Sequence, residues 1–332
     1  MKKKRALICG ISGQDGAYLA SLLIRKGYTV IGTSRDAQMS TFAHLHHLGV
    51  FEKVEAVSMS VMDFRSVLQT LKRWSPDEVY NLAGQSSVGL SFYQPVETLE
   101  SISIGTLNLL EAIRFLEAPI RFYNAASSES FGDTNGVPAN EQTQFRPRSP
   151  YAVAKATSFW QVANYREAYN LHACSGILFN HESPLRPERF VTQKIVAAAC
   201  RIANGNEERL MLGNTSIRRD WGWAPEYVEA MWKMLQMDTV DDYVIGTGKS
   251  HALSEFINIA FDEVGLCAKD HVETDPSLLR PTDIAIGVAD PSKAKERMGW
   301  SAKHGLEDVV KMMVRAKMTG KIQVEMDEDG NS

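Results

Sequence analysis

The chain is short of cysteine, has no long apolar run and carries no excess of basic charge, and each shortage excludes something. Its four cysteines (Cys9, Cys174, Cys200 and Cys267) lie far apart, with no Cys-x-x-Cys or other metal-ligand spacing. They read as free thiols in a reducing compartment, not as a disulfide framework or zinc ligands. No stretch approaches the ~20 apolar residues of a membrane span. The run behind the basic start, Ala6 to Cys9, is too short for a signal-peptide core. The expectation is a cytoplasmic protein with no membrane partner. Lys and Arg number 36 against 40 Asp and Glu, a net charge of −4; a general nucleic-acid binder would need the opposite balance. A small phosphorylated ligand needs only a few placed cations and stays open. What remains is ordinary globular composition, 44% hydrophobic over 332 residues, enough for one large domain or two smaller ones.

Strand and helix patterns alternate through the first half. Ala6–Cys9 is a short apolar run stopped by glycine. Tyr18, Leu19, Leu22 and Leu23 then recur at helical spacing, and Tyr28–Ile31 is a second β-rich run. Strand candidates follow at 54–57, 78–82, 120–125 and 172–178, with helical patterns at 64–73, 97–116 and 151–169. This order predicts an α/β fold with a doubly wound parallel sheet. Beyond Asn180, loops rich in Pro, Arg and Asn separate shorter helices, which points to a smaller mixed α/β substrate lobe. The expected division is a dinucleotide-binding domain over 1–179, with returning segments near 220–246 such as Tyr243–Ile245. The substrate lobe would take 180–219 and 247–318, and 319–332 would be a flexible polar tail.

Gly10-Ile-Ser-Gly13-Gln-Asp-Gly16 stands between the first strand and the first helix. There, glycines let backbone N–H groups approach a pyrophosphate at the positive end of a helix. The spacing is GxxGxxG; its position makes dinucleotide binding the reading. At the tip of the second strand come Ser34, Arg35 and Asp36. An arginine there suits the extra phosphate of NADP, which is favoured over NAD, although the Asp36 carboxylate opposes that phosphate. His44, His46 and His47 have no carboxylate partner nearby and read as a solvated helix face, so no metal is expected.

Tyr151 and Lys155 are four residues apart, on one helix face, behind the start signals Pro147, Ser149 and Pro150. A lysine beside a phenol lowers its pKa and makes tyrosine a usable base. Upstream, the strand at 120–125 runs into Ser127, Ser128 and Glu129. Ser127 can donate to a substrate oxygen, and Glu129 adds a carboxylate that plain alcohol oxidation does not need. Proton transfer next to a newly formed carbonyl would use it.

Together the glycine loop, Asn81-Leu-Ala-Gly-Gln85-Ser, Ser127-Ser-Glu129 and Tyr151-x-x-x-Lys155 resemble the extended short-chain dehydrogenase/reductase family, a Rossmann-type fold. Asn180-His-Glu-Ser-Pro184, Arg219-Asp-Trp-Gly222 and Arg280-Pro281 narrow the resemblance to its GDP-mannose 4,6-dehydratases, over about residues 5–315. The resemblance implies a lyase that borrows a hydride. Tyr151, aided by Lys155 and Ser127, takes the O4 proton as C4 is oxidised by NADP. Glu129 takes the C5 proton, water leaves from C6, and the hydride returns there. The implied product is a 4-keto-6-deoxy sugar nucleotide, for entry into deoxysugar synthesis.

The resemblance also implies cofactor contacts from Gly10, Gly13, Gln14, Asp15, Gly16 and Arg35. Asp63, Leu82, Ala83, Gln85, Tyr151, Lys155, His181 and Arg186 complete that set. It assigns Ser86, Asn180, Val191, Lys194, Arg219, Arg280 and Asp283 to a GDP-sugar. Lys194, Arg219 and Arg280 would supply the positive charge a diphosphate requires. His181-Glu182 begins like a zinc motif, but position 185 is leucine. Departures from the family pattern are Ser127 for threonine, Asp36 for a second arginine, Ser60 for aspartate, Pro187 for glycine and Asp283 for glutamate. The rival readings are the same reaction on another GDP-sugar such as a GDP-heptose, a sugar-nucleotide epimerase or reductase, and a redox-sensing NADP binder. Family members form homodimers or homotetramers, and the helices at 98–116 and 151–169 are the expected interface elements.

Overall fold

In the computed structural model, which describes residues 3–322, the chain opens as a βαβ unit. Strand β1 is Arg5–Cys9, helix α1 is Gln14–Arg25 and strand β2 is Thr29–Ser34. A short helix α2 (Ala43–His47) leads to β3 (Val54–Ser58), α3 (Phe64–Trp74) and β4 (Glu78–Asn81). A small helix α4 (Val88–Ser91) comes next, and the pattern expected at 97–116 lies in one continuous rod. That rod is α5 (Pro95–Leu99), a π turn over Glu100–Ile104 and α6 (Gly105–Leu116). Next come β5 (Arg121–Ser127), α7 (Pro150–Tyr169) and β6 (Ala173–Leu178). Helix α7 starts where its sequence dictates: Ser149 Oγ accepts from the Ala152 N–H, Pro150 fills the first turn, and Asn170 ends it at a φ of 53°.

The second half is built of smaller pieces: β7 (Asn180–Glu182), α8 (Val191–Ala203), β8 (Leu210–Leu212), β9 (Arg218–Arg219) and β10 (Trp221–Trp223). Helix α9 (Ala224–Gln236) and strand β11 (Tyr243–Ile245) follow. The remaining elements are β12 (His251–Ala252), α10 (Leu253–Asp262), β13 (Val272–Thr274), α11 (Ser292–Met298) and α12 (Leu306–Thr319). The polar tail expected beyond 319 lies, from 323 onward, outside the described residues.

Seven strands pair in the order β11-β6-β5-β4-β1-β2-β3, all parallel. Strand order reverses between β1 and β4, so a crevice opens above their carboxyl ends. β11 enters this sheet beside β6, as the sequence suggests, whereas β10 pairs with β7 in a separate ladder. One sheet face carries α1 and α9, with Leu19, Leu23, Tyr227, Met231 and Leu235 fully buried. The other carries α3, α6 and α7, packed through Val67, Leu109, Ile113 and Val162. Fully burying a side chain of this size stabilises by roughly 1.5–3 kcal/mol. Helices α8, α10 and α12 pack a separate cluster through Ile195, Phe256, Phe261 and Val310. Among the described residues no helix is long and apolar enough to cross a membrane.

Candidate active site

Two clefts meet above the sheet. The first, about 560 Å³, follows the glycine loop, the tip of β2 and the end of β4. Its floor depends on glycine. Gly10 sits at φ 83°, and a Cβ there would lie 2.8 Å from Leu82 O; at Gly16 it would lie 2.5 Å from Gly10 O. A Cβ on Gly13 would meet only Gly10 O, at 3.4 Å, so this glycine faces the open cleft. Gly13 caps α1 with no side-chain hydrogen bond, which leaves the helix's first N–H groups for a ligand. A dinucleotide pyrophosphate fits this cradle by its chemistry.

Beneath the cradle, Asp15 and His181 join the two halves of the chain. His181 Nε2 lies 2.9 Å from Asp15 Oδ2 and Nδ1 lies 2.8 Å from Phe179 O, with the ring stacked on Tyr227. Both partners are acceptors, an arrangement that favours the doubly protonated imidazolium. Burial opposes that charge, but Asp15 outweighs it and raises the pKa. Burial likewise opposes the Asp15 carboxylate, and His181 and Gln14 pull it down to about 2. Gln14 donates to His181 O, and Ser183 donates to Gln14 Oε1 at 2.7 Å. Of the histidines read as a solvated face, His46 and His47 are exposed, but His44 is half-buried against the backbone at Ser12 and Gly13. It supports the glycine loop. Its distance in sequence from that loop hid the contact.

Arg35, Leu82, Ala83 and Gln85 line the first cleft, and so does Ser86, which the resemblance assigns to the GDP-sugar. Arg35 projects from its mouth, 3.8 Å from Glu97. The Asp36 carboxylate is turned onto the N–H groups of Gln38 and Met39. Asp63 stands elsewhere: it caps α3 by accepting from Arg65 N at 2.9 Å, and the cleft wall is made by Met59, Ser60, Val61 and Met62.

The second cleft, about 280 Å³, gathers Ser127, Glu129, Tyr151 and Lys155 with Asn180, His181, Val191, Arg219 and Arg280. Ser86 and Arg186 line both clefts. Strand β5 runs two residues beyond its apolar core and so delivers the buried Ser127 to the rim. Ser127 Oγ accepts from Glu129 N at 3.3 Å, and the serine stands close enough to Tyr151 to exert a downward pull on the phenol's pKa. Lys155 Nζ donates to Ala125 O at 2.7 Å and lies 5.8 Å from the Tyr151 ring. Burial lowers the lysine to about 8. The phenol does not follow the expectation of a lowered pKa. Burial pushes it up to about 12, and Ser127 only partly offsets this. Burial also raises Glu129, against the pull of Arg219 and Arg280. Its carboxylate takes no hydrogen bond from any described residue.

The cations are held in different ways. Buried Arg219 donates to Asp283 Oδ1 at 2.8 Å and to Ile284 O at 2.7 Å, and Arg280 lies 3.7 Å from the same carboxylate. Asp283 thus braces two arginines behind the cleft wall. Lys194 is turned away, with Nζ on Met211 O at 2.7 Å. The sequence reading missed buried Glu182, which accepts from Thr192 and pairs with Arg186. A failed metal motif was its only signal. Among the described residues no cluster of His, Cys, Asp or Glu could hold a metal.

Residues 7–313 match the family model described as GDP-mannose 4,6 dehydratase. The chain belongs to the GDP-mannose 4,6-dehydratase family. It is 48% identical to GDP-mannose 4,6 dehydratase 1 of Arabidopsis thaliana, over 94% of this chain and 89% of that protein. It is 42% identical to GDP-mannose 4,6-dehydratase of Sinorhizobium fredii, over 96% of this chain and 97% of that one. Among solved structures, UDP-glucose 4-epimerase of Thermus thermophilus, in complex with NAD, superposes with a TM-score of 0.82 at 25% identity. That match covers 94% of this chain and 98% of the other. This GDP-mannose 4,6-dehydratase family member therefore shares its Rossmann-type frame with epimerases, and the frame alone does not set the reaction.

Proposed function

We propose that the chain converts GDP-D-mannose to GDP-4-keto-6-deoxy-D-mannose, as a hydro-lyase that uses a nicotinamide dinucleotide. Family membership at this identity and coverage supports the reaction and the GDP-sugar, and the neighbour complexed with NAD supports the cofactor class. The observation that carries the reading is Glu129, a carboxylate with no hydrogen-bond partner among the described residues, in one cleft with Ser127 and Tyr151. A 4-epimerase has no use for it.

The first cleft holds the dinucleotide, through the loop Gly10, Gly13 and Gly16 and through Ala83, Gln85 and Arg186, and Lys155 reaches it from the second cleft. Arg35 favours NADP, and the Asp36 carboxylate is no obstacle because its own turn holds it. When bound, that dinucleotide supplies reversible hydride acceptance. Tyr151, with Ser127, moves the proton of the substrate O4, and Lys155 is the cation on which a phenolate charge would lean. Glu129 takes the C5 proton and delivers it to the C6 hydroxyl, which leaves as water; a proton then returns to C5 as C6 takes back the hydride. Arg219 and Arg280 orient the GDP diphosphate. The lobe of 180–219 and 247–318 is its binding half, and residues up to 179 with the returning strand form the dinucleotide half. Free Cys9, Cys174, Cys200 and Cys267 suit the cytoplasm. The exposed Val153, Trp160 and Tyr169 on α7 suit burial in a homodimer or homotetramer.

The test is to incubate the purified protein with GDP-, UDP-, CDP- and dTDP-sugars and weigh the products. Loss of one water from GDP-mannose is expected. An isomer of unchanged mass would overturn the dehydratase reading.

A further inference from the structure

The wall between the two clefts is a short segment ending at Phe190, the residue that precedes α8, and Arg186, Arg189 and Phe190 line both sides of it. Two guanidinium groups share the Phe190 ring: Arg186 lies 3.8 Å from its centroid and Arg189 lies 5.1 Å away. Their surroundings differ. Arg186 Nε is 3.2 Å from the buried Glu182, which Thr192 fixes in turn. Arg189 is exposed and forms no ion pair with any described residue. Its neighbour Glu188 points away, to Lys317 at 2.8 Å and Arg201 at 3.5 Å. Two cations on one ring repel each other, and one compensating carboxylate leaves net positive charge facing both clefts.

We propose that Arg189 is the mobile jaw of a diphosphate clamp whose fixed jaw is Arg186. The inference rests on the reading of the clefts given above and adds a residue outside every motif of the sequence. The ligand it takes is a nucleotide diphosphate, because a guanidinium fork matches phosphate oxygens in pairs and Arg189 has the freedom to swing onto them. Glu182 keeps Arg186 in place for the first contact, and Arg189 completes the second. Two diphosphates can reach this wall, that of the dinucleotide from the glycine-loop side and that of GDP from the sugar side.

Calorimetric titration of NADP⁺ and of GDP, each alone, into wild-type protein, Arg189→Gln and Arg189→Lys separates these sources. Arg189→Gln should bind one ligand about tenfold more weakly, the scale of one charge-assisted hydrogen-bond pair. Arg189→Lys should recover part of the loss, and raised salt should shrink the difference. Weakened NADP⁺ binding assigns the clamp to the dinucleotide, and weakened GDP binding assigns it to the substrate. Unchanged affinity for both in Arg189→Gln overturns the clamp. A wild-type protein that binds neither ligand overturns the cleft reading itself, before any substitution is made.

Discussion

Two glutamates at opposite ends of the same sheet show what separates a structural carboxylate from a reactive one. Glu78 opens β4 at the edge away from the clefts, fully buried. Its oxygens take four hydrogen bonds: Tyr80 donates to Oε2 at 2.7 Å, and Lys4, Tyr28 and Gln236 donate to Oε1 at 3.1, 3.1 and 3.2 Å. Glu129 follows β5 at the cleft edge and accepts none of these bonds; arginines influence it only from a distance. A carboxylate held by four donors is stable and inert. One left open in a partly desolvated wall is costly to keep charged and ready to take a proton.

The comparison can be broken from either side. The largest effect belongs to the reactive end. Glu129→Gln should lower kcat by about 10²–10⁴-fold, the range of a lost general acid–base group, and should stop deuterium uptake at C5 from heavy water. Normal turnover in that variant would remove its assigned role. Tyr151→Phe should abolish oxidation at C4 with a loss of similar size; product formed at the wild-type rate would rule the phenol out. At the structural end, Glu78→Gln should cost about 1–3 kcal/mol in chemical denaturation, because buried donors lose a charged acceptor. Turnover per folded molecule should not change, and a fall in kcat at full folding would erase the distinction.

Two smaller effects depend on pH. Arg219 holds the raised Glu129 pKa down, so Arg219→Gln should move the acidic limb of the kcat profile to higher pH. An unmoved limb would mean the arginine acts only on substrate. The Asp15–His181 pair stabilises the fold while both groups are charged. Asp15 is lowered from 3.8 to about 2, so its share is present above pH 3.8 and is lost as pH falls through about 2. His181 is raised above 6.5, so its share is full below pH 6.5 and is lost as pH rises through its folded value. Asp15→Asn should therefore destabilise most between those limits, by on the order of 2 kcal/mol for the shift involved. A difference that does not vary with pH would show that packing, not charge, binds the pair.

The parts legible in the sequence are those where local chemistry and spacing suffice. The glycine loop, the Tyr151–Lys155 face and the seven-strand frame all follow from short-range pattern. Beyond that reach, side chains find partners that no spacing announces. Lys194 settles on a carbonyl of β8, Asp63 on its own helix, Asp283 on two arginines and His44 on the glycine loop. The pKa of Tyr151 escapes the sequence for a related reason: spacing reveals the lysine nearby but not the burial that outweighs it. Strands β8, β9, β12 and β13 have two or three residues each, too few to show any alternation.

The return of β11 to the sheet bears on how the chain is made. Gly176 pairs with Tyr243 across residues 177–242, so the last strand of this sheet closes only after that stretch, the first part of the lobe included, has left the ribosome. Until then the outer edge of β6 is an open row of N–H and C=O groups, able to template a neighbouring chain. Loop closure over such a span is slow. A nascent chain stalled before residue 243 would carry both catalytic segments and still present its stickiest edge, which makes completion of synthesis, more than assembly of the clefts, the step most exposed to aggregation.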